Sequence, residues 1–167
     1  MTREQFISHV EGSQKSFRRF LVALCCGDSA LADDVAQEAY IKAYLSCDNF
    51  RNPDKFKAWI YRIGYTTFLN HRRSERITVG YEEAAGLSAL NSPADAFAYQ
   101  DLYFALNRLP AKERTSVLLF YMENYSIKEI AEIQDTSQDS VKQHLSRGRR
   151  HLREILSTSN RNNNGRR

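Results

Sequence analysis

The stretch Leu109–Glu154, LPAKERTSVLLFYMENYSIKEIAEIQDTSQDSVKQHLSRGRRHLRE, decides the fold. Leu109-Pro110 closes one helical pattern, a helix expected over about Ala94–Arg108. A second opens at Ala111 and is expected to run to about Glu123, with Val117, Leu118, Phe120 and Tyr121 apolar. Ser126-Ile127-Lys128-Glu129 then reads as a capping box, in which the serine hydroxyl satisfies a first-turn amide and the glutamate reaches back. Ile130, Ala131 and Ile133 follow, and Gln134-Asp135-Thr136-Ser137 is a short turn. The next helix is expected from Gln138 to about Leu156, with Val141, Leu145, Leu152 and Leu156 facing inward. From Lys142 to Arg153 it carries five bases and no acid. A short helix, a tight turn and a basic second helix make a helix-turn-helix, a pattern suited to duplex DNA. Small Ala131 lets the two helices approach closely.

Three more helices are expected upstream. Phe6, Val10, Phe17, Phe20, Leu21 and Leu24 form a stripe at helical spacing over residues 3–24. Ser29 is the expected cap of a helix running to about Ser46, with Leu31, Val35, Ala39, Tyr40 and Ala43 on its buried face. Asp34, Gln37, Glu38 and Ile41 stand at i, i+3, i+4 and i+7 on another face, an apolar residue among acids. After a loop at Phe50–Asp54, Pro53 suits the start of a helix expected to reach Arg73. Phe56, Ile60, Ile63 and Thr67 are its expected core stripe. Trp59, Arg62, Thr66, Leu69 and Arg73, with Tyr61 and Tyr65 nearby, interleave aromatics with bases. Such rings either stack on unpaired nucleic-acid bases or fill the core. Residues 74–98 lose helical periodicity, and the tail STSNRNNNGRR is low in complexity, as disordered segments are.

The chain has 167 residues, of which 26% are charged and 42% hydrophobic, a globular balance. Only 7 glycines and 3 prolines argue against a fold of many short strands. No apolar run reaches the roughly 18 residues a membrane span needs, and MTREQFISHVEG lacks a signal-peptide pattern. A cytoplasmic protein is expected. Cys25, Cys26 and Cys47 fit neither a disulfide framework nor a zinc site. His9, His71, His144 and His151 make no HExxH, and there is no phosphate-binding loop or nucleophile elbow. No cofactor, metal or catalytic residue is expected.

The net charge of +4 conceals a segregated pattern. Residues 1–73 carry net +3, residues 74–98 net −3 and residues 99–167 net +4. Within the first block, Asp28–Asp48 holds five acids and one base, and Arg51–Arg73 six bases and one acid. Two basic stretches suggest two polyanion contacts, and the acidic one suggests a basic partner.

Three segments together resemble the extracytoplasmic-function sigma factors, small sigma subunits of bacterial RNA polymerase. They are DDVAQEAYIKAYLSCDNFR (Asp33–Arg51), FKAWIYRIGYTTFLNHRR (Phe56–Arg73) and the stretch quoted first. The resemblance covers almost the whole chain and implies an all-α fold of two small domains joined by a flexible linker. Residues 1–75 would form the N-terminal sigma domain, 76–95 the linker, 96–158 the helix-turn-helix domain and 159–167 a disordered tail. It also implies a non-enzymatic subunit that directs core RNA polymerase to promoters. Asp33, Asp34, Gln37, Glu38 and Ile41 would dock on the basic clamp helices of the polymerase. Arg51, Asn52, Lys55, Lys57, Trp59, Arg62 and Thr66 would capture the melted minus-ten strand, where a flipped base costs a few kcal/mol of unstacking. Thr66 stands where many members have Asn. Lys112, Arg114, Ser140, Lys142, Gln143, His144, Arg147, Arg149 and Arg150 would bind the minus-thirty-five duplex. Of these, the resemblance implies that Lys142, Gln143, His144 and Arg147 would face base edges, and that Lys112, Arg114, Arg149 and Arg150 would hold phosphates. An anti-sigma factor, commonly membrane-tethered in the family, is an implied partner, and no small-molecule substrate is. A free-standing helix-turn-helix regulator would explain the C-terminal block but not the acidic and aromatic-basic helices together. A small enzyme built on His144 or Cys26 lacks partner residues.

Overall fold

The computed structural model describes residues 1–79 and 96–164, so most of the expected linker lies outside the described residues. Among these, the regular elements are helices, as an all-α chain requires. Helix α1 (Arg3–Leu24) opens on a capping box whose signature, Thr2-x-x-Gln5, stands in the sequence: Gln5 N donates to Thr2 Oγ1 at 3.2 Å and Thr2 N to Gln5 Oε1 at 3.0 Å. It buries Phe6, Phe17, Phe20, Leu21 and Leu24, and Val10 is half-buried. It stops where Cys26 and Gly27 take positive φ, 54° and 89°.

Helix α2 (Ser29–Ser46) is capped by Asp28, whose carboxylate accepts from Leu31 N at 3.0 Å. Ser29, the expected cap, is the first helical residue. Asp28 supplies both an acceptor and a negative charge at the positive end of the helix. Helix α3 (Phe56–Val79) follows a short 3-10 turn, Pro53–Lys55, and outruns the expected end at Arg73. Ser74–Val79 holds no glycine or proline, and Arg72 pairs with Glu75 one turn on at 3.7 Å.

The second unit contains α4 (Ala96–Asn107), α5 (Ala111–Tyr121), α6 (Ile127–Gln134) and α7 (Gln138–Asn164). The Ser126–Glu129 capping box is present: Glu129 N donates to Ser126 Oγ at 3.2 Å, and Ser126 N to Glu129 Oε2 at 2.8 Å. Asp135 ends α6 in the left-handed region, φ 53°. Val141 and Leu145 of α7 are buried and Leu152 and Leu156 half-buried, as expected. The expectation of a disordered tail from residue 159 is corrected, because α7 continues to Asn164. Extending an existing helix costs only residue propensity, a few tenths of a kcal/mol for Ser and Asn, without the nucleation penalty.

The two units are not held apart. α5 packs on α1 and α6 on α3, and one apolar core runs through both. No helix of the described residues is long and apolar enough to cross a membrane.

Candidate polymerase and nucleic-acid interfaces

On α2 the core side, Ala32, Val35, Ala39 and Ala43, is small and buried. The opposite side presents Asp33, Asp34 and Gln37 to solvent, with Ile41 54% exposed. Two apolar neighbours extend this face: Leu45 is 77% exposed and Tyr44 37%. They continue the i, i+3, i+4 pattern from Ile41, a signal present in the sequence but not followed past the acids. Asp33 meets Arg18 of α1 through two bonds, 2.8 and 3.2 Å. Glu38 is tied inward, 2.6 Å from Lys42 Nζ and 2.8 Å from His71 Nε2 of α3. The Lys42 and His71 bonds hold its carboxyl below the ordinary range, so it stays ionised.

The loop and start of α3 place Arg51, Asn52, Lys55 and Lys57 on the surface. Trp59 is half-buried, its ring stacked on Phe50 at 4.3 Å and edge-on to Phe56 at 5.8 Å. It therefore frames this loop as well as lying beside it. Arg62 and Thr66 are exposed one turn apart, and Thr66 Oγ1 donates to the Arg62 carbonyl at 2.9 Å. Tyr61 and Tyr65 are not available for base stacking. Both are buried, and burial pushes each phenol pKa up. The periodicity could not separate these two tyrosines from Trp59, because α3 is covered on two sides, by α1 and α2 and by α6.

On α7, Lys142, Gln143, Arg147, Arg149 and Arg150 point into solvent, and Ser140 and His144 are half-buried. Ser137 caps the helix: Ser140 N donates to its Oγ at 3.1 Å, and its own hydroxyl donates to Ser140 Oγ at 2.9 Å. The N-terminal turn of this helix thus starts rigidly after the Asp135 bend. Arg149 donates to Tyr121 Oη at 3.1 Å. His144 carries a lowered pKa, through burial first and the nearby Lys112 second, which keeps the imidazole neutral at pH 7. Gly148 lets α7 lie against α5. An added Cβ would sit 2.8 Å from Val117 Cγ2.

Arg114 corrects an expectation. It holds no phosphate, for it is only 3% exposed and its guanidinium is spent on main-chain carbonyls. Nε donates to Leu106 O at 2.8 Å, Nη1 to Leu24 O at 2.9 Å and Nη2 to Leu109 O at 3.1 Å. Leu24 ends α1, and Leu106 lies in the last turn of α4, so one cation caps two helices of different units. Composition marks this residue only as another base. Lys112, its neighbour, is exposed.

Comparison with known proteins agrees with this layout. Residues 10–77 match Sigma-70 region 2, and residues 99–152 match Sigma-70, region 4. The ECF RNA polymerase sigma factor SigW of Bacillus subtilis is 33% identical, with 75% of each chain covered. The ECF RNA polymerase sigma-E factor of Escherichia coli K12 is 27% identical over 89% of this chain and 91% of its own. The sigma factor RpoE of Bartonella quintana, solved with the anti-sigma factor NepR, superposes with a TM-score of 0.74 at 26% identity, covering 91% of this chain and 96% of that one. With both regions present in the same order on two packed helical units, the chain belongs to the sigma-70 family, in its extracytoplasmic-function branch.

Proposed function

We propose that this sigma factor docks on core RNA polymerase through the outer face of α2 and reads a promoter with two separate surfaces. Sigma factors are non-enzymatic initiation factors, so nucleotidyl transfer belongs to the polymerase. Asp33, Asp34, Gln37 and Glu38 supply charge for a basic clamp, and Ile41 an apolar anchor. Arg51, Asn52, Lys55, Lys57, Trp59, Arg62 and Thr66 form the minus-ten surface. Lys142, Gln143, His144 and Arg147 read the minus-thirty-five duplex, with Ser140 beside them and Lys112, Arg149 and Arg150 on phosphates. A good bidentate pair from such a side chain discriminates between bases by about 1–3 kcal/mol. The observation that carries the reading is the exposed, acid-free stretch of α7 on a molecule whose α2 presents acids around an exposed isoleucine. The Bartonella relative was solved with an anti-sigma factor, and this chain is proposed to have such a partner, to act in the cytoplasm, and to divide into functional units at about residues 75 and 96.

Core polymerase mixed with the protein and a promoter library should give run-off transcripts that share two spaced elements. Lys142→Ala should weaken selection at the upstream element by about tenfold, as the loss of one base contact does. DNA binding without polymerase binding would replace this reading with a free-standing regulator.

A further inference from the structure

At one end of the junction between the two units, cations of the N-terminal unit meet acids of the other. Lys55 Nζ lies 3.3 Å from Glu132 Oε2, Arg62 lies 3.6 Å from Asp135 Oδ2 and Arg19 lies 3.2 Å from Glu123 Oε1. At the other end the acids are missing. The C-terminal part of α3 brings Arg72, Arg73 and Arg76 against the turn between α4 and α5, which carries Arg108 and Lys112 on either side of Leu109-Pro110. These five cations line one cleft of about 670 Å³, and no Asp or Glu lines it among the described residues. Small-molecule sites fall in the range of about 300–1,000 Å³. Among the described residues Arg73, Arg76 and Lys112 have no acidic partner. Arg72 meets Glu75 at 3.7 Å, and Arg108 lies over the Phe104 ring at 5.4 Å. Arg114 also lines the wall, but its donors are spent on carbonyls. Burial lowers its pKa, and the nearby Arg72 lowers it further. Like charges gathered in a concavity with low-dielectric walls focus their field onto whatever enters it.

We propose that this cleft is a binding site for a small oligophosphate, a ligand of contiguous phosphates such as a nucleoside triphosphate or inorganic tripolyphosphate. Guanidinium groups pair bidentately with phosphate oxygens, and Lys112 adds a compact charge. Contiguous phosphates hold several negative charges in one small group, which matches cations drawn from two elements to a single concavity. A lone sulfate or carboxylate satisfies only one or two of them. A nucleic-acid strand spreads its charges along an extended path. Where the ligand carries a base, half-buried Leu69 and buried Leu109 offer apolar contact, and the Asn107 side chain offers both a donor and an acceptor. The bound anion bridges α3 of one unit and the α4–α5 turn of the other, and it removes the repulsion between them. Lys112 is shared with the proposed minus-thirty-five surface; Arg72, Arg73, Arg76 and Arg108 belong to neither DNA surface. The site is made by the fold and does not depend on the promoter reading.

Isothermal titration calorimetry of the full chain with sodium tripolyphosphate tests the site, with sodium sulfate at matched ionic strength as the control anion. Tripolyphosphate should bind once per chain and at least about tenfold more tightly than sulfate. At a tenfold excess over its Kd it should raise the thermal midpoint by about 3–6 °C. Arg73→Glu/Arg76→Glu puts two acids into the cleft through exposed side chains. It should weaken binding at least about tenfold, with helicity retained by circular dichroism. Arg73→Gln/Arg76→Gln removes the charges without reversing them and should weaken binding about threefold. It decides the matter if the reversal lowers helicity. Lys15→Glu/Arg153→Glu makes the same change in net charge at exposed positions outside the cleft. It should change affinity by less than about twofold. GTP and ATP identify the source. Tighter binding than tripolyphosphate assigns a nucleotide with its base on Leu69 and Leu109, and equal or weaker binding assigns an inorganic oligophosphate. Absence of saturable tripolyphosphate binding, or equal losses in the cleft and control variants, overturns the proposal. So does a cleft variant that loses affinity for duplex DNA but keeps it for tripolyphosphate, which would make these arginines DNA-backbone contacts.

Discussion

At the scale of single residues, two side chains of similar chemistry end in opposite places. Lys112 and Arg114 are neighbours on α5, yet one faces water and the other is spent on three carbonyls at 3.1 Å or less. The family resemblance implies phosphate contacts for both, and spacing says nothing about which carbonyls the tertiary fold leaves without donors. Gly64 shows the same limit. A glycine inside a helix has low helix propensity, but this one is the position where α3 meets the Phe17 ring. An ideal Cβ there would lie 2.6 Å from Phe17 Cζ and 2.7 Å from Cε2. Gly64→Ala should therefore destabilise the chain by about 1–3 kcal/mol, the range for overpacking a tight core. The gain in helix propensity, about 1 kcal/mol, works against it. Urea denaturation checks the sign, and a midpoint at or above wild type would mean that the ring moves aside cheaply.

At the scale of elements, α2 was legible almost completely. Its alanines and Val35 alternate with acids at a spacing that suits a helix with one buried side; of the expected face Val35, Ala39 and Ala43 are buried and Leu31 and Tyr40 half-buried, and Ala32 is buried with them although it was not expected. What escaped was the length of its outer face, since Tyr44 and Leu45 lie beyond the acidic run that drew attention to it. A solvated helix has no use for a leucine 77% exposed beside an isoleucine 54% exposed. Leu45→Glu should leave the fold intact, because the side chain has little packing to lose. It should weaken binding to core polymerase by roughly 1–3 kcal/mol, the range for truncating an interface anchor. Fluorescence titration with core enzyme measures it, and unchanged affinity would confine the docking face to Asp33–Ile41. Helix α3 was legible as an element but not by face. Its aromatics divide between core and surface according to what covers them, and the cover on one side is α6, a helix some 50 residues away in sequence.

At the scale of the whole molecule, the junction between the two units sets what each surface can do. Tyr61 is the hub, its ring against Phe17, Phe20 and Tyr125 and its hydroxyl on Glu123. Arg114→Met keeps most of the volume and removes every donor at the other end of the junction. It should cost about 3 kcal/mol or more, since charged hydrogen bonds are worth roughly 1.5–3 kcal/mol each and the carbonyls are left buried. Thermal unfolding should show a lowered midpoint, with the N-terminal unit losing its contact to α5. A loss below 1 kcal/mol would mean that water takes over the carbonyls of Leu24 and Leu106. The sequence alone determined the helices, the capping box at Ser126, the basic reading helix and the acidic face of α2. Each of these depends on neighbours within a few residues, where periodicity and side-chain reach are enough. Only the tertiary structure decided that Arg114 is a latch and that Lys55 and Arg62 face carboxylates. Those facts depend on groups 70 to 90 residues apart, brought together by burial of apolar surface that carries no record of which polar partners will meet at its edge.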